Sequence, residues 1–391
     1  MNEWKIYKLS EIGTIIGGAT PSTSNPHYYG GQIPWITPKD LSTLNGRFIE
    51  KGERNITEKG LSSCSAQLLP QGSILFTSRA PIGYVAIAKN PITTNQGFKS
   101  IVPNEKVNNI FLYYLMVYNK SNIEAMGSGT TFKEVSGSTM KKVEIRIPNI
   151  DVQKRIASIL ASLDDKIELN RRINDNLEEQ AKALFNHYFI QNTENLGEWQ
   201  DGVLADIAQY LNGLAMQKYP AMPNEAGLPV LKIKELGQGQ CDTNSDRCSS
   251  LIKPEYIISD GTIIFSWSGT LLVDIWCGGK CGLNQHLFKV SSAKYPQWFV
   301  FYWTKHHLNK FIRIAKDKAV TMGHIKRCDL EISKVKIPSK QALVNLDKLF
   351  SPIFNRMVTC RIENRKLSSL RDTLLPKLMS GEISVEEVSL D

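Results

Sequence analysis

The chain has 391 residues, 42% hydrophobic and 22% charged, enough to bury two cores of ordinary size in a globular fold. The N-terminal residues lack a charged-then-apolar signal pattern and no apolar run approaches the ~18 residues of a membrane span, so no membrane partner and a cytoplasmic location are expected. A net charge of +9 suggests a polyanionic partner, because Lys and Arg drive binding to phosphate backbones.

In chain order, short β-like runs alternate with Gly, Pro, Asn and Ser turns: Ile33-Pro-Trp-Ile-Thr, Ser73-Ile-Leu-Phe-Thr-Ser and Val85-Ala-Ile-Ala. An apolar face of Phe111, Leu112, Leu115 and Met116 predicts a helix over 109–119. Val143-Glu-Ile-Arg-Ile then alternates faces, as a half-buried strand does. Residues 151–190 read as one long helix with seam positions spaced by four and three: Ile156, Leu160, Leu163, Ile167, Asn170, Asn174, Leu177, Ala181, Leu184 and Tyr188. The globular scheme then recurs, with a helix near 298–307, and a second long helix follows.

The two halves are copies of one another. Trp4, Leu9, Ile12 and Gly18 match Trp199, Leu204, Ile207 and Gly213 at one constant spacing, and Ile33-Pro-Trp-Ile matches Leu228-Pro-Val-Leu. Gly72, Ile74, Phe76 and Asn95-Gln96 match Gly261, Ile263, Phe265 and Asn284-Gln285; Thr131 and Ile147-Pro148 match Thr321 and Ile337-Pro338. A ladder this consistent means duplication. The helical seam repeats too, as Leu346, Phe350, Ile353, Met357, Cys360, Asn364, Leu367, Arg371, Leu374 and Leu378.

Roughly 40 residues at ~1.5 Å each span about 60 Å, longer than one globule needs, so the two seams are expected to pack on each other. With the order globule, helix, globule, helix, an approximate two-fold requires the helices to run antiparallel and puts Asn174 and Asn364 near the axis. Pro352 should kink or restart the second helix, with Ser351 as a cap, and Pro376 should end or bend it. The expected fold class is mixed α/β (α+β): two similar domains with twisted sheets, 1–150 and 195–338, separated by two long antiparallel helices in a pseudo-two-fold arrangement. The helices occupy 151–192 and 339–391, the latter with a C-terminal tail.

Catalytic motifs are missing. There is no Walker A loop, no G-x-G-x-x-G after a strand, no Asn/Asp-Pro-Pro-aromatic motif of amino-methyltransferases, no G-x-S-x-G elbow and no H-E-x-x-H helix. None of the six histidines (His27, His187, His286, His306, His307 and His324) sits in an acid–base or metal constellation, and His306-His307 reads as exposed helix surface. Seven cysteines at irregular spacings make no disulfide framework. Cys241, Cys248, Cys277, Cys281 and His286 lack the tight pairs of structural zinc, so no metal is expected and the thiols read as reduced. Both globules are basic, and loops such as Thr77-Ser-Arg-Ala, Gly127-Ser-Gly-Thr-Thr-Phe-Lys and Lys316-Asp-Lys-Ala-Val-Thr-Met-Gly-His suit contacts to phosphates and base edges. The residues thus favour a nucleic-acid reader, with two alternatives: an enzyme whose residues are dispersed over the fold, or a scaffold whose basic heads bind proteins.

Several segments resemble the specificity subunits of type I restriction-modification systems. They are Trp4-Lys-Ile-Tyr-Lys-Leu-Ser-Glu-Ile, Gly72-Ser-Ile-Leu-Phe-Thr-Ser-Arg-Ala-Pro-Ile-Gly with Asn95-Gln-Gly-Phe, Gln153-Lys-Arg-Ile-Ala-Ser-Ile-Leu, and Leu370-Arg-Asp-Thr-Leu-Leu-Pro-Lys-Leu-Met-Ser-Gly-Glu-Ile. The resemblance implies that each globule is a target-recognition domain reading one part of an asymmetric, bipartite site on double-stranded DNA. It further implies a non-catalytic chain that recruits two adenine methyltransferase subunits and the restriction/translocase subunits. Cofactors of its own are then none, with S-adenosylmethionine and ATP on those partners.

Domains that read different sequences should differ where they read. Positions alike in both halves (Trp4/Trp199, Asn95/Asn284, Gln96/Gln285) therefore read as framework. Arg79 against Ser268, Phe132 against Met322 and Lys133 against Gly323 read as divergent DNA contacts, together with Ser78, Thr131, Lys318, His324 and Lys326 in the same loops. Lys39, Lys232 and Lys234 are expected to hold phosphates.

Overall fold

The structure, a computed structural model, describes residues 4–79, 81–129, 133–191, 199–317 and 323–388. It divides into two compact units: Met1–Glu168 with Leu367–Asp391, and Leu169–Lys366.

The first unit is built on a five-stranded sheet in the order Gly13–Gly17, Lys99–Pro103, Ile74–Phe76, Val85–Ala88, Phe48–Ile49. All three residues of Ile74–Phe76 are buried because both faces of the sheet are covered. Side chains alternate across a strand. Ile74 and Phe76 accordingly pack with Phe111, Leu112 and Leu115 of the helix Asn109–Tyr118, while Leu75 packs with Ile36, Leu41 and Phe98 on the other side. A three-stranded sheet (Arg54–Ile56, Tyr29–Ile36, Thr93–Thr94) supplies that second layer. Lys5–Lys8 pairs antiparallel with Glu144–Ile147, which leads into the first long helix.

The second unit repeats this plan. Its main sheet runs Gln209–Asn212, Leu287–Ser291, Thr262–Ser266, Leu272–Trp276, and a second one runs Arg247–Cys248, Leu228–Leu231, Cys281–Leu283, Ile257–Ile258. Gln200–Val203 pairs with Lys334–Ile337 as the equivalent strands do in the first unit. Gly72 and Gly261 occupy matching turns at φ +85° and +83°, which favour glycine at both places. Gly18 and Gly213 allow close backbone approach, since an added Cβ would lie 1.9 Å from the Asn95 carbonyl oxygen and 2.2 Å from that of Asn284.

The helix expected near 298–307 extends over Gln297–Asp317 and buries the unbroken run Trp298 to Thr304. Its first two turns are covered all round, so no polar face sets the period there, whereas Asn309, Arg313 and Lys316 are exposed farther along. His306 on it is exposed, as expected, but His307 is half-buried: its ring stacks on Trp303 at 6.1 Å and bonds the Lys334 carbonyl at 2.9 Å.

Both long helices form, as Ile150–Phe185 with a π turn at Asn186–Gln191, and as Lys340–Ser380. Within the first unit Ile156, Leu160, Leu163 and Ile167 are buried, and Leu367 and Leu374 half-buried. Asp164 meets Arg371 at 2.7 Å while Arg155 meets Glu386 at 3.1 Å, so the sequence numbers run in opposite directions there. Within the second unit Leu346, Met357 and Cys360 are buried and Asn174, Leu177, Leu184, Ile353 and Asn364 half-buried. Asn170 bonds Asn364 at 3.0 Å and the ring of Phe189 lies 6.4 Å from that of Phe350, which is antiparallel again.

The second long helix neither restarts nor ends at its prolines, which corrects that expectation. Pro352 and Pro376 lie inside one continuous helix, and Ser351 is no cap but bonds Asp347 at 2.6 Å. Buried Phe350 and Phe354 flank Pro352, and their packing outweighs the loss of one backbone bond.

Candidate nucleic-acid interface

Beyond the central strand Ile74–Phe76 the chain of the first unit stays pinned on both sides. Thr77 bridges Phe98, the Ser78 N–H donates to the Gly97 carbonyl at 2.7 Å, Val135 N–H donates to the Ser78 carbonyl at 2.9 Å, and Arg79 bridges Glu134. This rung presents Arg79 at the surface, where its Nε lies 2.9 Å from Glu134 Oε2. Lys99 Nζ sits 3.6 Å from the other carboxylate oxygen, and Lys133 is exposed on the adjoining turn. One acidic and three basic groups therefore share the rung.

The second unit builds the same rung from different side chains. Trp267 N–H donates to the His286 carbonyl at 3.4 Å, Ile325 N–H to the Trp267 carbonyl at 3.1 Å, and Ser268 bridges His324. Here Ser268 Oγ and His286 Nδ1 share a hydrogen bond at 2.9 Å, and the Trp267 ring lies 5.9 Å from His286 and 6.4 Å from His324. The Trp267 indole is held by Asn212 at 2.9 Å. An indole face flanked by two imidazoles offers a stacking surface and ring N–H donors without a fixed charge.

Matched positions supply the frame. Asn95 Oδ1 accepts from Gly97 N–H at 2.9 Å, and Asn284 Oδ1 accepts from His286 N–H at 3.3 Å. Trp4 lies against Gly381 at the end of the second long helix, and Trp199 lies 5.1 Å from Phe189 at the end of the first. Gln96 accepts from the Thr20 hydroxyl.

The remaining expected contact residues fall into four groups. Ser78 and Ser268 are buried, with their hydroxyls on Gly97 and His286, so they brace the rung and do not reach solvent. This corrects their reading as DNA contacts: Ser78 turns inward while its neighbour Arg79 faces out, and Ser268, at the position matching Arg79, is held inward by its bond to His286. His324 and Lys326 are exposed beside it. Lys39, Lys232 and Lys234 lie apart from the rung, each on a carboxylate: Glu53 at 2.7 Å, Asp246 at 2.5 Å and Asp242 at 3.6 Å. Glu53 holds the Lys39 ammonium above its ordinary pKa and is itself lowered. Thr131, Phe132, Lys318 and Met322 lie outside the described residues.

Sequence reasoning passed over Glu134, Lys99, Trp267 and His286. The signal for His286 was present: the matched Asn-Gln pairs are followed by Gly97 in one half and His286 in the other. Glu134 and Lys99 gave none, because only the bridge brings them to Arg79.

Among the described residues no three His, Cys, Asp or Glu side chains are grouped to hold a metal. His286 faces Ser268 instead of the nearby cysteines. Cys281 bonds Cys241, and that bond together with burial pushes its thiol well up; burial pushes Cys277 up to about 11. Such thiols stay protonated and unreactive at neutral pH. Among the described residues no helix is long and apolar enough to cross a membrane.

Residues 1–179 match the family model described as type I restriction modification DNA specificity domain. The chain is 36% identical over 411 aligned residues to the type I restriction enzyme MjaIX specificity subunit of Methanocaldococcus jannaschii, covering 99% of this chain and 95% of that one. It is 32% identical over 169 residues to the EcoR124I/EcoR124II specificity subunit of Escherichia coli, 41% of each chain. Its fold matches the crystal structure of a type I restriction-modification system S subunit from M. genitalium at TM-score 0.61 and 16% identity, covering 96% of both chains.

Proposed function

The chain belongs to the specificity subunits of type I restriction enzymes, and from that premise we propose that it reads DNA sequence for such a complex and carries no catalysis itself. Each unit reads one part of a bipartite site on double-stranded DNA. The two parts differ in sequence, because the repeated rung carries Arg79 and Glu134 in one unit and Ser268, His286 and His324 in the other. That divergence on a shared frame is the observation that carries the reading: a structural or purely electrostatic role would not require the two copies to differ there.

The chemistry belongs to partners. Two adenine methyltransferase subunits holding S-adenosylmethionine modify the site, and restriction/translocase subunits holding ATP cleave DNA. The long helices contribute to the surface that recruits them. The lack of a catalytic motif in the sequence supports work done elsewhere.

Co-expression with the methyltransferase encoded beside it, in a host free of adenine methylation, tests this directly. The expected result is a single asymmetric, bipartite methylated motif that disappears when the chain is omitted. Methylation independent of the chain, or a stable complex that methylates nothing, removes the proposal.

A further inference from the structure

Arg79 and Glu134 are the surface side chains of the rung in the first unit, with side-chain exposures of 48% and 32%. Their backbones are paired in an antiparallel bridge, and Glu134 is tied again to Ser128 through N–H to carbonyl bonds of 2.9 and 3.0 Å in both directions. The two groups are therefore presented from a fixed base. Lys99, only 17% exposed, lies against Oε1 of Glu134 and leaves Oε2 to Arg79. Glu134 is the one ionic partner of Arg79 among the described residues.

A guanidinium beside a carboxylate is a row of donors followed by acceptors. In the major groove a guanine offers two acceptors, O6 and N7, and the cytosine paired with it offers a donor, N4. We propose that Arg79 and Glu134 together read one C·G base pair, Arg79 donating to guanine O6 and N7 and Glu134 accepting from cytosine N4. This rests on the DNA-reading function proposed above and names the chemistry of one position within it.

Three observations favour this over an ordinary surface ion pair. An exposed pair contributes little to stability, so the fold does not need these residues, and opening it on DNA costs little. The pair sits on the rung, where the framework is duplicated, whereas Lys39–Glu53 and Lys89–Glu50 are pairs off the rung at 61–75% exposure. The second unit has neither charge at the matching positions, but a buried Ser268 and an exposed His324, so it lacks this row of donors and acceptors.

The test is selection of randomised duplexes by the purified full-length chain, followed by affinity measurements on the selected site at several salt concentrations. For the unaltered chain a C·G pair at one position of one half-site is expected. Arg79→Ala should erase the preference at that position, leave the other half-site intact, and lower affinity for the selected site about 10- to 100-fold. Arg79→Lys keeps the charge and should also relax that position, which covers the case in which the alanine variant folds poorly. Glu134→Gln keeps an acceptor and should retain the preference. A motif unchanged in both Arg79 variants overturns the proposal. So does a uniform loss on all sequences with a salt slope smaller by about 1, the mark of a phosphate contact. If the unaltered chain selects no sequence at all, the recognition function itself fails and this inference with it; if it selects a motif that Arg79 does not affect, only the inference falls.

Discussion

His307 couples the stability of the second unit to pH. Burial pushes its imidazole down to about 4, and His306 and Lys310 beside it push in the same direction, against the bond to the Lys334 carbonyl. In the unfolded chain the same ring takes a proton near pH ~6.5. Between those two values the unfolded state binds more protons than the folded one, so stability rises with pH across that window. The contribution is complete above about pH 6.5 and is lost as pH falls toward 4. The thermal midpoint should therefore drop between pH 7 and 4.5, and His307→Gln, which keeps a donor for the Lys334 carbonyl, should lessen that drop. Asp260, lowered by its bond to Arg365, titrates below the window and should not obscure it. Equal slopes for the two proteins would show that His307 is not the group responsible.

At the scale of elements, the second unit docks its own long-helix segments through aromatic and charged contacts. Phe350 is fully buried and stacks on Trp298 at 4.2 Å and 10°, while the Trp298 indole donates to Asp347 at 2.7 Å. Arg365 makes a two-pronged contact with Asp260 at 2.7 and 2.8 Å. Phe350→Ala removes a ring from a closed packing site and should cost about 3–5 kcal/mol, read by denaturant unfolding. Arg365→Ala, more exposed, should cost clearly less; the reverse order would mean that charge and not packing holds the helix. These helices were legible in the sequence because a seam spaced by four and three survives as burial at Leu160, Leu163, Met357 and Cys360. Their continuity through Pro352 was not, since it depends on Phe350 and Phe354 finding partners far along the chain. The helix Gln297–Asp317 was underestimated at its C-terminal end, where Phe311 and Ala315 are buried while Asn309, Arg313 and Lys316 are exposed.

At the scale of the whole molecule, duplication made the architecture readable and the site only half so. Matching glycines, tryptophans and Asn-Gln pairs marked the frame, and the structure gives Gly18 and Gly213 the same close approach and Asn95 and Asn284 the same bond to the N–H two residues on. The readers were traceable only as differences between copies, and a difference does not say which side chain faces outward. Ser78 and Arg79 differ by one position, yet the first is buried and the second half-exposed. The two compact units carry a further consequence. Arg79 is bonded through Glu134, and His324 lies against Trp267 and bridges Ser268, so the two sets share no residue. Substitutions with no common partner add in free energy to within ~0.3–0.5 kcal/mol, about a factor of two in affinity. Arg79→Ala and His324→Ala should therefore each alter one half of the selected motif and leave the other untouched. Their double variant should bind the unaltered site with a fold-loss near the product of the single losses. A double variant several-fold away from that product, or a single substitution that changes bases in both half-sites, would mean that the two units do not read independently.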